Sequence, residues 1–530
     1  MTACRMDRPS KRACIGLGGG LLAGVVVRVL CLRFFADPHS VDSIYCIDVA
    51  RNICEGRGLV IDYAWIYARG VPESFPMPSH GYWNPGHTFF LVPWMAALGT
   101  TYRVAQIACI CLSIPFTAII WWVARELMQS EAAGLLAAGL AAVEPHFITQ
   151  CLTADPGFSH SFWLAACLLA LYVGALGRPR ALIVAGFLAG LAHLTRNDGM
   201  LLVPVSALVL FGAVRAGRLR WSHGLGFLAA YALVMVPWVA RNTVVFGAAP
   251  PPEMRRLLFL PEYNEIFRAD WSSIAPTDYL TTHGGLGGVV LYRLKVAWFH
   301  AKWAAGDAGA WVMFIGIPAL AYGRRSVVVP YIYMLGVLVV AYILIVPEVG
   351  MRGAFPRSFP SLYPLVLGSA AGGVVWASAQ VSSLSRRRLS PSFAIATMSA
   401  LLVARSLSAL GPCVLKHHVW STRSPYVESA SVLRGVLERD LGDGPILTDD
   451  TWRISALVDR PVLQMPSDGQ ETVLRIARQV GARYAVMRGA CLQYCQGLRE
   501  AIDRGDVEVL QLLETAPVHE GIYVIDLFPE

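Results

Sequence analysis

The sequence predicts a polytopic α-helical membrane protein of about 11 transmembrane helices, carrying a small C-terminal α/β domain. Three observations predict it. The 530 residues are 55% hydrophobic and 15% charged, whereas a soluble chain of this length carries about a quarter charged residues. Apolar runs long enough to cross a bilayer recur from residue 14 to residue 410. Beyond 410 the pattern changes to short strand-like runs, "GPILTDD", "RPVLQMP", "RYAVMRG" and "IYVIDLF". These alternate with the amphipathic helices "YVESASVLRGVLERDL" and "GQETVLRIARQVG", the alternation of a small α/β domain.

A helix needs roughly 20 apolar residues to cross a bilayer. The runs are 14–34, 103–124, 132–150, 158–176, 181–195, 199–213, 223–239, 308–322, 326–346, 359–378 and 392–410, the pair within 181–213 being short. The first has the basic n-region of a signal peptide. Its apolar run is long and no A-x-A site follows, so a retained span with its N-terminus inside is expected. Arg28 within it is expected to face other helices. "HTFFLVPWMAAL" (87–98) is too short to cross and reads as an interfacial helix.

Alternating from an inner N-terminus puts Arg178 and Arg180, then Arg215, Arg218 and Arg220, then Arg324 and Arg325, then Arg386, Arg387 and Arg388 in inner loops. Cytoplasmic loops are Lys/Arg-rich, and counting 87–98 as a span would turn these clusters outward. The outer segments are then 35–102, 151–157, 240–307, 347–358 and the tail 411–530. The net charge of +8 is thus a topology signal. No aromatic-plus-basic module for nucleic acid is visible. Most of the twelve cysteines lie in or beside apolar runs, where they act as small hydrophobes. Cys491 and Cys495 fall in the tail. An oxidising compartment opens a disulfide to them, but one turn of helix is poor geometry for it. No Cys/His pattern has zinc-ligand spacing.

The outer segments hold the residues that can carry chemistry. "HSVDSIYCIDVARNICEGRGLV" (39–60) contains Asp42, Asp48 and Glu55. Asp42 opens a helix expected over 43–55 and reads equally as its N-cap. Asp48 and Glu55 read as the solvated face, and Asp48 does not share the face of Asp42 at 3.6 residues per turn. Asp155, in "CLTADPGFSHSF", precedes Pro156 and has the form of an N-cap with proline at the first helical position. The topology puts it on the same side as Asp42. Arg196 in "LTRNDGMLL", with Asp198 two residues on, Arg241 in "VPWVARNTVVFG", Arg357 in "GAFPRSFPSLYP", and Arg293 and Lys295 in "VVLYRLKVAWFHAKW" put cations there. Most of these cations read as snorkelling to headgroups, yet the arginine fork suits phosphate. His80, His87, His146 and His160 read as satisfied polar groups.

In order, these stretches resemble the GT-C superfamily of polytopic glycosyltransferases, especially members akin to protein mannosyltransferases and the aminoarabinose transferases of lipid A. The resemblance covers most of 14–410. "VDSIYCIDVARNICEGRGLV" is similar to that group's first outer loop, "WNPGHTFFLVPWMAALG" to the juxtamembrane helix after it, and "LTADPGFSHSFWLAACLLALY" to its second acidic loop. "LAHLTRNDGMLLVP" and "PWVARNTVVFG" resemble segments usually of the form "RPEG" and "PW.IRN..FG". Val41 stands where the first of two paired acids often occurs, Asn197 replaces a proline and His87 a common tyrosine.

The resemblance implies a catalytic domain over 1–410 with long outer loops 35–102 and 240–307, and an extracytoplasmic domain over 411–530. It implies a polyprenyl-phosphate-linked sugar as donor. The sugar would pass to a lipid, polysaccharide or protein acceptor on the outer face of the inner (plasma) membrane. The leaving lipid phosphate needs no general acid, whereas the acceptor hydroxyl must lose a proton, which a carboxylate can take. Asp42 is the expected base. Asp155 is expected to orient the acceptor or shape charge at the sugar. Arg241, Arg357, Arg196 and Lys295 are expected to hold the donor phosphate. No cofactor is expected. A divalent metal is disfavoured by Val41. A flippase of lipid-linked sugars and a non-catalytic scaffold are the alternative readings.

Overall fold

The computed structural model describes residues 9–37, 40–67, 69–306, 316–384, 390–422, 434–435, 444–458, 460–488, 502, 504–505, 507–514 and 521–528. Arg386, Arg387, Arg388, Cys491, Cys495, most of the expected span 308–322 and all but two residues of the expected helix "YVESASVLRGVLERDL" lie outside them. The chain divides into two compact units. One comprises residues 1–43, 84–238 and 293–417, and the other residues 44–83, 239–292 and 418–530.

The first unit is helical. Its elements include α1 (Lys11–Cys31), the start of α2 (Val41–Cys54), α3 (Gly86–Leu98), α4 (Tyr102–Met128), α5 (Glu131–Val143), α6 (Pro145–Leu152), α7 (Pro156–Ala175) and α8 (Arg180–Thr195). The protein spans a membrane several times. Among the described residues seven helices are long and apolar enough to cross, or eight if the bent pair α5–α6 is one span. The segments expected over 181–195 and 326–346 are the shorter apolar helices Arg180–Thr195 and Val329–Ile345, and 87–98 falls in α3, also short.

The break in the run expected as one helix over 132–150 has a local cause. Pro145 disfavours helical backbone at the residue before it, and Glu144 is extended (φ −69°, ψ 120°). The Glu144 carboxylate then caps α6, accepting from the Phe147 N–H at 2.5 Å and the Tyr363 hydroxyl at 2.8 Å. The helices bend by 54° there. Arg28 is buried and turns toward α5, donating to the carbonyls of Gly24 (2.8 Å) and Ala141 (3.2 Å). Small residues let helices approach without a hydrophobic driving force in lipid. A Cβ on Gly186 of α8 would lie 2.1 Å from the Phe227 carbonyl oxygen.

The second unit holds a six-stranded sheet. Its strands are β2 (Tyr63–Ala64), β4 (Ile446–Thr448), β5 (Val462–Gln464), β6 (Tyr484–Arg488), β7 (Glu508–Glu514) and β8 (Gly521–Asp526), in the order β2-β5-β4-β6-β8-β7. Strands β2, β5, β4 and β6 are parallel, and β8 is antiparallel to both of its neighbours, β6 and β7. The four strand-like runs read from the tail are β4, β5, β6 and β8, and "GQETVLRIARQVG" forms a helix over Gln470–Val480. Two-residue β2 comes from the first long loop, so parts of that loop build the same sheet as the tail. A separate two-stranded ladder pairs β1 (Val60–Ile61) with β3 (Met77–Pro78).

Candidate active site

Asp42 sits in the first turn of α2 and is not its N-cap, since the helix already begins at Val41. Its side chain is instead held by charge. Oδ2 lies 3.3 Å from Arg357 Nη1 and 3.7 Å from Arg196 Nη1. Arg357 reaches further. Its Nε donates to Asp155 Oδ2 at 3.1 Å and its Nη2 to Ser40 Oγ at 3.1 Å. One guanidinium therefore joins two carboxylates 113 residues apart in sequence. Asp155 also caps a helix, as its sequence reads. As N-cap of α7 its Oδ1 accepts the Gly157 N–H at 2.7 Å, with Pro156 at the first helical position. Burial pushes its carboxyl up, but the Arg357 guanidinium and the Gly157 N–H together hold it below the usual carboxylate range.

A third carboxylate completes the group. Asp198 Oδ1 lies 3.3 Å from Arg196 Nε and 3.2 Å from His160 Nε2. Its Oδ2 accepts from the Tyr342 hydroxyl at 2.7 Å and from the Ser358 hydroxyl. Three carboxylates thus share two guanidiniums, in a setting where Asp42, Asp155 and Asp198 side chains are 12%, 8% and 7% exposed. All of these groups sit at helix ends or in short turns.

The backbone around Arg357 is pinned. His146 Nε2 and Gln150 Nε2 both lie 3.0 Å from the Pro356 carbonyl, and Ser161 Oγ donates to the Arg357 carbonyl at 2.9 Å. Gly353 adopts φ 136°, a region that favours glycine. A Cβ on Gly157 would stand 2.7 Å from Arg357 Cβ and 2.9 Å from Asp155 Oδ1. Gly157→Ala is therefore expected to push Arg357 off both acids and cut turnover by at least about tenfold, since a misplacement of ~1 Å can cost 100-fold. Steady-state kinetics beside a melting curve check it, and wild-type turnover in this variant would show the close approach to be dispensable.

Residues 84–240 match the family described as dolichyl-phosphate-mannose-protein mannosyltransferase. Among solved structures, the chain is similar to the oligosaccharyltransferase of Archaeoglobus fulgidus in the apo form (TM-score 0.55, 14% identity, 89% of this chain and 69% of that one). It is also similar to the archaeal oligosaccharyltransferase AglB of that organism in complex with an inhibitory peptide and a dolichol-phosphate (TM-score 0.53, 13% identity, 91% and 70%). A third similar structure is ArnT from Cupriavidus metallidurans bound to undecaprenyl phosphate (TM-score 0.53, 14% identity, 96% and 98%). The chain has the GT-C fold. No curated protein matches it by sequence.

Within this GT-C fold the site residues named from sequence fall into three groups. Asp42, Asp155, Arg196 and Arg357 come together in the helical unit. Arg241 lies in the other unit, where its Nη1 donates to the Ser79 carbonyl at 3.0 Å and to Asn242 Oδ1 at 2.8 Å. Lys295 is exposed on the helix Gly285–Gly306. Asp48, expected on a solvated face, is half-buried instead. It accepts from Arg51 Nη1 at 2.7 Å and from the Tyr63 hydroxyl at 3.2 Å. Burial raises its carboxyl above the usual range despite Arg51. Sequence alone assigns no role to Asp198, Tyr342, Ser358 and Ser40, and to His160 only that of a satisfied polar group. Its Nδ1 does meet the Ala192 carbonyl at 3.0 Å, but its other nitrogen faces Asp198.

Proposed function

We propose that this GT-C chain moves a sugar from a polyprenyl-phosphate donor to a hydroxyl of a lipid, polysaccharide or protein on the extracytoplasmic side of the inner (plasma) membrane. The observation that carries the reading is the Arg357 guanidinium set between Asp42 and Asp155. A carboxylate able to take a proton, an arginine fork suited to phosphate and a second carboxylate lie side by side, which supports this reading. Two structures of this fold contain dolichol-phosphate and undecaprenyl phosphate, which supports a lipid phosphate as carrier.

In the proposed step the acceptor hydroxyl attacks the anomeric carbon and passes its proton to Asp42. The bond from that carbon to the phosphate oxygen breaks, its electron pair leaving on the phosphate. Arg357 and Arg196 would turn toward the phosphate as charge collects there. That turn releases Asp42 from its guanidinium partners at the moment it must accept a proton. Asp155 orients the acceptor or steadies positive charge at the sugar. Arg241 and Lys295 remain proposed phosphate partners, to be tested by Arg241→Ala and Lys295→Ala. The position of the acids at helix ends favours transfer over transport, because transporters keep ionisable groups near the bilayer midplane.

The step is proposed without a metal, because Val41 leaves Asp42 without the paired acid that a shared cation would need. The chain in proteoliposomes is expected to glycosylate acceptor extracts when given polyprenyl-phosphate hexoses or pentoses, and dialysis against EDTA should leave the rate unchanged. Envelope glycans and lipids of cells lacking the gene should miss one glycosylated species by mass spectrometry. Movement of radiolabelled donor across the bilayer with no product would count for a flippase, and a rate lost to EDTA and restored by Mg²⁺ would rule out the metal-free step.

A further inference from the structure

The sheet of the second unit has a polar edge that the transfer chemistry leaves unused. Side chains alternate along each strand. Ile446 and Val462 therefore face one hydrophobic cluster, and Leu447 and Leu463 the other. The helix after β4 (Thr451–Leu457) buries Ile454 in the first cluster. The helix after β5 (Gln470–Val480) buries Val473 and Ala477 in the second. Strands β4 and β5 are parallel neighbours, with Thr448 opposite Gln464. The chain thus leaves two adjacent carboxyl ends toward opposite faces. That divergence is a topological switch point, where open α/β sheets bind ligands.

At this edge lie three side chains at least nine-tenths buried that each have a polar atom without a partner among the described residues: Asp450 Oδ1, Thr451 Oγ1 and Gln464 Oε1. Ser467 Oγ, on a half-buried residue after β5, is a fourth buried atom without a partner among the described residues. Leaving a buried polar group unpaired is costly, so four at one edge call for a ligand. The charges nearby cancel. Asp449 accepts from the N–H and Nε of Arg488 at 3.0 and 2.7 Å, and Asp450 Oδ2 from Arg453 Nη1 at 2.5 Å. A phosphate site would carry surplus positive charge and a cation site surplus negative charge. The atoms left without a partner among the described residues there are two acceptors and two hydroxyls, a set that suits an uncharged ligand rich in O–H groups. Trp452, half-buried beneath the Arg453 guanidinium (3.9 Å to the ring centroid), adds an apolar ring beside them.

We propose that the carboxyl ends of β4 and β5 bind the hydroxyls of a neutral saccharide. This site stands on the sheet alone and is independent of the transferase reading. The test uses the full chain in lipid nanodiscs, since maltoside detergents carry sugars of their own. Saturation-transfer NMR is recorded with maltotriose, mannotriose and arabinotriose. At least one should receive saturation above that from empty nanodiscs. Thr451→Val and Gln464→Met each remove an unpartnered polar atom at nearly constant volume. They should weaken binding at least tenfold while the melting temperature holds or rises, whereas Asp42→Asn should leave binding unchanged. No transfer to any of the three sugars, equal binding by both variants, or displacement by inorganic phosphate would overturn the proposal.

Discussion

Asp42→Asn is expected to lower the rate of sugar transfer by 10²- to 10⁴-fold, the range typical of a lost general base. Asparagine keeps the size of the side chain but cannot take up the acceptor proton. The fold should survive, because both cations facing Asp42 have second partners. Arg357 keeps Asp155 and Ser40, and Arg196 keeps Asp198. Melting in nanodiscs should therefore stay within a few degrees of wild type. Donor binding should persist or tighten, since a carboxylate competing with phosphate for two guanidiniums has been removed. Transfer at the wild-type rate by a well-folded Asp42→Asn chain would eliminate the assigned base. Asp155→Asn is the useful comparison. Asparagine caps a helix as well as aspartate does, so any loss there reports on charge beside Arg357 and not on a damaged helix.

The fold was legible in the sequence wherever a single rule governs a long stretch. Apolar length marks the spanning helices, and strand-helix alternation marks the tail. It was illegible where two rules meet. The run 132–150 satisfies the length rule, but the Glu144–Pro145 pair inside it breaks the helix. Strand β2 is two residues long, too short for any periodicity, and exists because β5 offers it a parallel edge. The site divides in the same way. Asp42 and Asp155 stand out because each opens a helix beside a turn. Asp198 is two residues from Arg196, a spacing that does not bring side chains together on a helix. Arg196 is extended (φ −149°, ψ 146°) and a 3₁₀ turn over Asn197–Leu201 follows, which lets the carboxylate fold back beside the guanidinium. Tyr342 and Ser358 reach it from 144 and 160 residues away, and no local pattern carries such contacts.

Arg357 is where the second large effect is expected. Arg357→Lys retains the charge but loses the fork that reaches Asp42, Asp155 and Ser40 at once. The transfer rate should fall on the order of 100-fold, as for removal of a preorganised donor to developing negative charge. Arg357→Gln removes the charge as well and should show itself in stability. The Arg357 guanidinium is the leading force that opposes burial at Asp155 and brings its carboxyl below the ordinary range. A depressed carboxyl stabilises the fold above its unfolded pKa of about 3.9, and that contribution is lost as pH falls through the folded value. In Arg357→Gln burial is unopposed by that charge, so the stabilising contribution at neutral pH disappears. The loss should be about 3 kcal/mol or less, because Arg357 is partly exposed. The gap in melting temperature between wild type and Arg357→Gln should therefore be widest near pH 7 and narrow as the pH falls toward the depressed folded-state value of Asp155. A gap that stays constant from pH 7 to pH 3 would mean that Arg357 supports the fold by packing, and that its pairing with Asp155 contributes nothing measurable.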